Sequence, residues 1–240
     1  MDAPETDKPT PVRLAVIGTL LVALACLSYV LLAYEFVPLA WRFAERRHPA
    51  IDKMGTRAFT SAGIPGDPLN IGFVGPEDVL HKKMLAAGWY PADPITFSSS
   101  LRIAKASVIH MPYPDAPVSD LFVNGRKQFY AFEQATGGDP SRRHHVRFWL
   151  APVTDAIDRP MWIGAATYDS GVGLSHTTGQ ITHHIGADVD KERDKLIADL
   201  QRTGNIDLKW IDPFQKEREG RNGGGDRFVT DGKLAVFSEQ

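Results

Sequence analysis

Residues 143–150 read RHHVRFWL and residues 161–168 read MWIGAATY. Both stretches are short, rich in aromatic and branched side chains, and bounded by turn-forming residues, the pattern of β-strands. A period of two splits the first stretch. Arg143, His145, Arg147 and Trp149 share one face, and His144, Val146 and Phe148 share the other. One face is cationic and the other largely apolar, so this strand is expected to lie between two different environments.

Working outward, further strands are expected at residues 70–75, 105–110, 121–123, 127–132, 180–185, 226–230 and 233–237. Asn124-Gly125 and Asp231-Gly232 are tight-turn dipeptides, expected to close hairpins. Two helices stand out. One follows Pro76, with Glu77 and Asp78 in its first turn and Gly88 at its end. The other covers residues 189–203, with Asp188 or Asp190 as cap, Leu196, Ile197 and Leu200 as inner face, and Gly204 as terminator. Many strands, hairpins and two main helices predict an α+β class with one mostly antiparallel β domain, not a doubly wound α/β sheet.

Upstream, residues 14–33 read LAVIGTLLVALACLSYVLLA, without a single charge. At 1.5 Å per residue such a helix spans about 30 Å, the thickness of a bilayer core. Tyr34, Phe36 and Trp41 follow where interfacial aromatics would sit. The apolar run is too long for a cleavable leader and lacks an A-x-A site, and Cys26 sits in a poor lipidation context. The expected organisation is a tail over 1–13, a single transmembrane helix over 14–34, a connector over 35–66 and a soluble domain over 67–240. Lys8 and Arg13 precede the helix, while Arg42, Arg46, Arg47 and Lys53 follow it. The positive-inside rule then favours a single-pass protein of the cell (inner) membrane with its domain in the cytoplasm, an N-in signal anchor with an external domain being the alternative.

Composition narrows the function classes. The 240 residues carry a formal net charge of −2, which argues against a nucleic-acid binder. Cys26 is the only cysteine, so the domain has no disulfide, thiolate nucleophile or Cys-based zinc site.

Several segments in order carry a resemblance: residues 69–75, 87–89, 113–119, 143–149, 162–169, 182–185 and 190–194. Together they resemble the LssY C-terminal domain family, over residues 67–237. The resemblance implies no particular reaction. In larger relatives the domain is attached to polytopic membrane segments of DedA and lipid-phosphatase types, which points toward lipid or envelope processes. This chain has one membrane helix. Its Ser141-Arg142 begins the phosphatase S-R-x5-H pattern, but position 148 is Phe, so that activity is not carried over.

The candidate chemistry lies on the strands. Arg143 and Arg147 could grip a phosphate or carboxylate, with His184 nearby, or could simply pair with acidic neighbours. His145, Asp169 and His183 are the candidate catalytic groups of a hydrolase, a histidine acting as base and an aspartate orienting it. Asp169 is expected at a strand end, leading into a Ser170–Gly173 loop. Histidines 145, 176, 183 and 184 with aspartates 169, 188 and 190 would suit Zn²⁺ if three or four converged. No H-x-x-x-H or H-E-x-x-H spacing is present, so no metal ligand is assigned and the cofactor is left unknown. The expected partner is the membrane itself, with an anionic lipid or small envelope molecule as ligand and protein partners unknown. The first reading is a binding domain; the alternative is a membrane-tethered hydrolase.

Overall fold

The computed structural model describes residues 11–37, 39–40, 55–92, 120–137, 142–155 and 157–239. The strand expected over 105–110 and the Pro-rich segment over 111–117 lie outside these residues. The first element is α1 (Pro11–Val30), which widens into π-type turns over Leu31–Phe36. The segment Val12–Phe36 is long and apolar enough to cross a membrane, and its side chains are exposed almost throughout. A helix that is apolar all round and uncovered by protein suits a lipid surround. Ala33 is the buried exception. Near it Tyr29 donates to the Gly179 carbonyl at 2.7 Å, and Gln180 Nε2 donates to the Ala33 carbonyl at 2.9 Å.

Among the described residues the chain continues through β1 (Arg57–Phe59), β2 (Pro65–Pro68), β3 (Ile71–Val74), α2 (Glu77–Ala86) and β4 (Tyr90–Pro91). Then come β5 (Phe122–Val123), β6 (Arg126–Lys127), β7 (Tyr130–Ala135), β8 (Arg143–Thr154), β9 (Pro160–Leu174) and β10 (Ile181–Ile185). The last elements are α3 (Val189–Arg202), β11 (Ile206–Ile211), β12 (Glu219–Arg221), β13 (Arg227–Val229) and β14 (Leu234–Glu239). The main sheet has the order β11-β14-β3-β9-β8-β7-β4, with β10 paired to the far half of β9. It is antiparallel except where β14 lies parallel to β3. A small sheet has the order β2-β1-β5-β6, and β12 pairs with β13. The class is α+β.

The two faces of β8 organise the layers. Val146 and Phe148 enter a core with Ile71, Phe73, Trp89, Phe132 and Phe237, closed by Leu80 and Met84 of α2 and by Leu196 and Leu200 of α3. Each fully buried large side chain here contributes roughly 1.5–3 kcal/mol. Trp149 and Ala165 face the other way, against Ala58, Leu69, Leu121 and Val123 beneath the small sheet. Both helices start as their residues dictate. Pro76 takes an extended conformation before α2, and the Asp188 side chain accepts from the Lys191 amide at the start of α3.

Several expectations are corrected. Residues 127–132 do not form one returning strand: Lys127 ends the small sheet and Tyr130 begins a strand of the main one. The break falls at Gln128, whose side chain is taken by the Leu121 amide. Residues 226–237 are not a hairpin. β13 pairs with β12, whereas β14 inserts between β11 and β3. Asp231 in the intervening turn is held by Arg193 of α3 at 2.8 Å, which redirects the chain. Residues 170–173 are not a loop but the continuation of β9, paired with β10. Within residues 35–66 the chain forms β1 and the start of β2, and residues 219–221 form β12. Trp210 is 46% exposed because β11 is an edge strand, and the Arg193 guanidinium covers its ring at 4.8 Å.

Candidate functional site

The cationic face of β8 meets an acidic face of its neighbours. Register places Arg143 opposite Asp169 and His145 opposite Thr167 on β9, while Glu133 of β7 lies opposite His145 on the other side. Arg143 Nε donates to Asp169 Oδ2 at 3.1 Å, and its Nη1 lies 3.0 Å from Glu133 Oε2. His145 Nδ1 lies 3.0 Å from Asp169 Oδ1. Arg147 Nη1 donates to Asp67 of β2 at 3.2 Å and to His145 Nε2 at 2.7 Å. Thr167 Oγ1 lies 2.7 Å from that same nitrogen. β10 pairs with this end of β9, with His183 opposite Val172, and His183 Nε2 lies 3.5 Å from Arg143 Nη2.

The electrostatics follow from burial. Arg143, Arg147, Asp67, Asp169, Glu133 and His145 are all buried. Charges so placed are costly unless paired, and a cluster of them is a functional-site candidate. Burial alone would raise the Asp169 carboxyl, but His145, His183 and Arg143 outweigh it and hold the group well below the usual carboxylate range. Burial pushes the His183 imidazole down to about 4, with the nearby cations reinforcing the shift and Asp169 opposing it. His183 is therefore neutral at physiological pH. Burial also lowers the Arg147 guanidinium, against the pull of Asp67 and Asp169. A guanidinium stays charged regardless.

A cavity of about 150 Å³ opens over this network. His145, Arg147, Asp169, His183, Asp67 and Asn222 are among its lining residues, and Thr178 and Gln180 form the side nearest α1. Arg147 spends only one nitrogen on its bonds. Among the described residues, Nε and Nη2 have no hydrogen-bond partner.

Four of the expected site residues thus share the cavity wall: His145, Arg147, Asp169 and His183. Arg143 lies behind them, bonded to Asp169. His184 points elsewhere, with Nδ1 2.7 Å from Asp226 Oδ1 and its ring beside that of His176. His176, His184 and Asp226 bring their ligand atoms within 4.8 Å of one another, close enough to hold a metal ion. Asp67, Glu133 and Thr167 were not among the site residues expected from the sequence, nor was the pairing of Asp226 with His184. An acidic residue inside the apolar run of β7 was the available signal for Glu133. Asp67 reads as part of a Gly-Pro turn and gave none.

The profile of the LssY C-terminus family matches residues 51–234. The chain belongs to this family. No curated protein and no solved structure matches it. The match takes in β1 and β2 as well as the strands of the site, which agrees with Asp67 of β2 being part of the buried network. Of the segments that carry the resemblance, residues 143–149 are in β8, 162–169 in β9 and 182–185 in β10. These are the strands that supply the cavity of this LssY C-terminal domain. The segment at 113–119 lies outside the described residues.

Proposed function

We propose that this LssY C-terminal domain is a membrane-anchored binding domain whose cavity takes a small oxyanion, the phosphate or carboxylate of a molecule at the membrane surface. The observation that carries the reading is the Arg147 guanidinium, which lines the cavity with two nitrogens unbonded among the described residues. Arginine donors match the planar acceptor geometry of such a group. Asp67 pairs with the Arg147 guanidinium and the Asp169 charge also acts on it, so what the cavity offers is donor capacity rather than a strong positive field. Neutral His183 adds a site that can donate or accept. The tie between Gln180 and Ala33 keeps this wall beside the apolar helix, which supports a ligand drawn from the membrane surface. The basic residues after the helix favour the cytoplasmic side.

Hydrolysis is the second reading, motivated by the line Asp169–His145–Thr167. That line resembles an acid–base–nucleophile relay, but Thr167 is fully buried and His145 Nε2 is already occupied by Arg147. In a hydrolase the available base would be His183, acting on water.

The test is thermal stabilisation of the full chain by inorganic phosphate and by glycerol 3-phosphate, with glycerol as control. A ligand at a hundred times its Kd stabilises the folded state by about 2.7 kcal/mol. The shift should appear with both phosphates, not with glycerol, and vanish in the paired variant Arg147→Gln, Asp67→Asn. Removing both partners together avoids leaving an orphan charge. A wild-type protein that ignores both phosphates, or a folded paired variant that still responds, would reject the reading.

A further inference from the structure

We propose that His176, His184 and Asp226 form a binding site for one divalent transition-metal ion of the Zn²⁺ class, which clamps together the two loops at the cavity's edge. The site stands independently of the oxyanion reading. Two imidazoles and a carboxylate are a donor set that Zn²⁺ and its borderline neighbours accept. Their ligand atoms lie within 4.8 Å of one another. Donor atoms around a tetrahedral Zn²⁺ are about 3.3 Å apart, so a small side-chain adjustment closes the set. His176 is exposed and free to make it.

The three residues come from separate segments. His184 sits on β10, His176 in the loop between β9 and β10, and Asp226 at the end of the loop just before β13. Two glycines permit the approach. A Cβ at Gly173 would fall 2.5 Å from His184 Nε2, so the absence of one lets the ring seat with Nδ1 toward Asp226. A Cβ at Gly225, whose φ is +87°, would fall 2.7 Å from the His176 Cβ. The loops are also joined through the backbone, His176 N donating to the Gly224 carbonyl at 2.8 Å. Asp226 Oδ2 is fixed by the Ile185 amide at 3.1 Å, which leaves Oδ1 facing His184.

The hydrogen bond between His184 and Asp226 explains that pair without a metal, but not the third residue. The His176 ring is brought against the pair, with centroids 5.4 Å apart, yet its side chain makes no hydrogen bond among the described residues. A cation replacing the His184 Nδ1 proton would give all three side chains one partner. The clamped loops carry Ser175, Thr178 and Gln180 on one side and Asn222, Gly223 and Gly224 on the other, all lining the cavity. The ion would thus hold the cavity wall in shape, with a fourth position left for water.

The experiment is a calorimetric titration of the full chain in detergent, without a histidine tag and stripped with chelator, using Zn²⁺ alone and Mg²⁺ as the hard-cation control. One Zn²⁺ should bind per chain, raise the melting temperature and lose roughly tenfold or more in affinity in His176→Ala and in Asp226→Asn. His176 is exposed, so its variant keeps the fold and separates ligand loss from misfolding. No Zn²⁺ binding by the wild type, or equal affinity in the folded His176→Ala protein, overturns the site. Mg²⁺ binding as tightly as Zn²⁺ overturns the assigned metal class.

Discussion

Arg147 Nη1 donates to His145 Nε2 at 2.7 Å, and that contact fixes the histidine's proton. A guanidinium only donates, so Nε2 accepts and Nδ1 carries the hydrogen toward Asp169. Nitrogen-15 spectra of histidine-labelled protein at neutral pH should therefore show His145 as the neutral Nδ1–H form. An Nε2–H form would remove the basis for this arrangement.

His183 should make the fold sensitive to mild acid. Its native form stays neutral down to about 4, whereas the unfolded imidazole protonates near 6.5. The unfolded chain takes up the proton first, so stability falls as pH drops through that window, by on the order of 3 kcal/mol. Denaturant titrations at neutral pH and near pH 4.5 should show the loss, and His183→Gln should remove most of it. Asp169 works in a lower window. Its depressed carboxyl contributes stability that begins to be lost only below about pH 4.

Asn70 ties the main sheet to the start of α3. It accepts from the Ala166 amide at 2.8 Å and donates to the Ala166 and Val189 carbonyls at 2.9 and 3.0 Å. Asn70→Ala leaves these buried groups without partners and should cost roughly 2–4 kcal/mol. Equilibrium unfolding measures it, and a change below about 0.5 kcal/mol would mean water replaces the amide.

The apolar helix should decide partitioning. The full chain is expected to stay with membranes through an alkaline carbonate wash, and a chain beginning after residue 40 is expected to be released. Full-length protein in the soluble fraction would contradict the anchor. Protease digestion of sealed vesicles of known orientation reads the side on which the domain lies, and protection from outside in inverted cytoplasmic vesicles would reverse the cytoplasmic assignment.

Local signals carried much of the architecture. The uncharged run at 14–33, the caps at Pro76 and Asp188, and the glycines at 88 and 204 each act through immediate neighbours, so their elements appear where expected. The hairpin signal at Asp231-Gly232 failed because a distant residue, Arg193, claims the turn and because β14 finds a better place between β11 and β3. Asn124-Gly125 did close a tight pair, but the returning strand stopped at Lys127.

By itself the sequence determined that the chain combines an apolar helix with an α+β domain, and that β8 has one apolar and one cationic face. Those properties depend on composition and period, which are local. Only the tertiary structure decided that the cationic face is buried, because Glu133, Asp67 and Asp169 reach it from three other strands. It also decided that His145, Arg147 and His183 share a cavity wall while His184 turns to Asp226. Charge compensation across a sheet depends on register between segments far apart in the chain, and no local pattern encodes it.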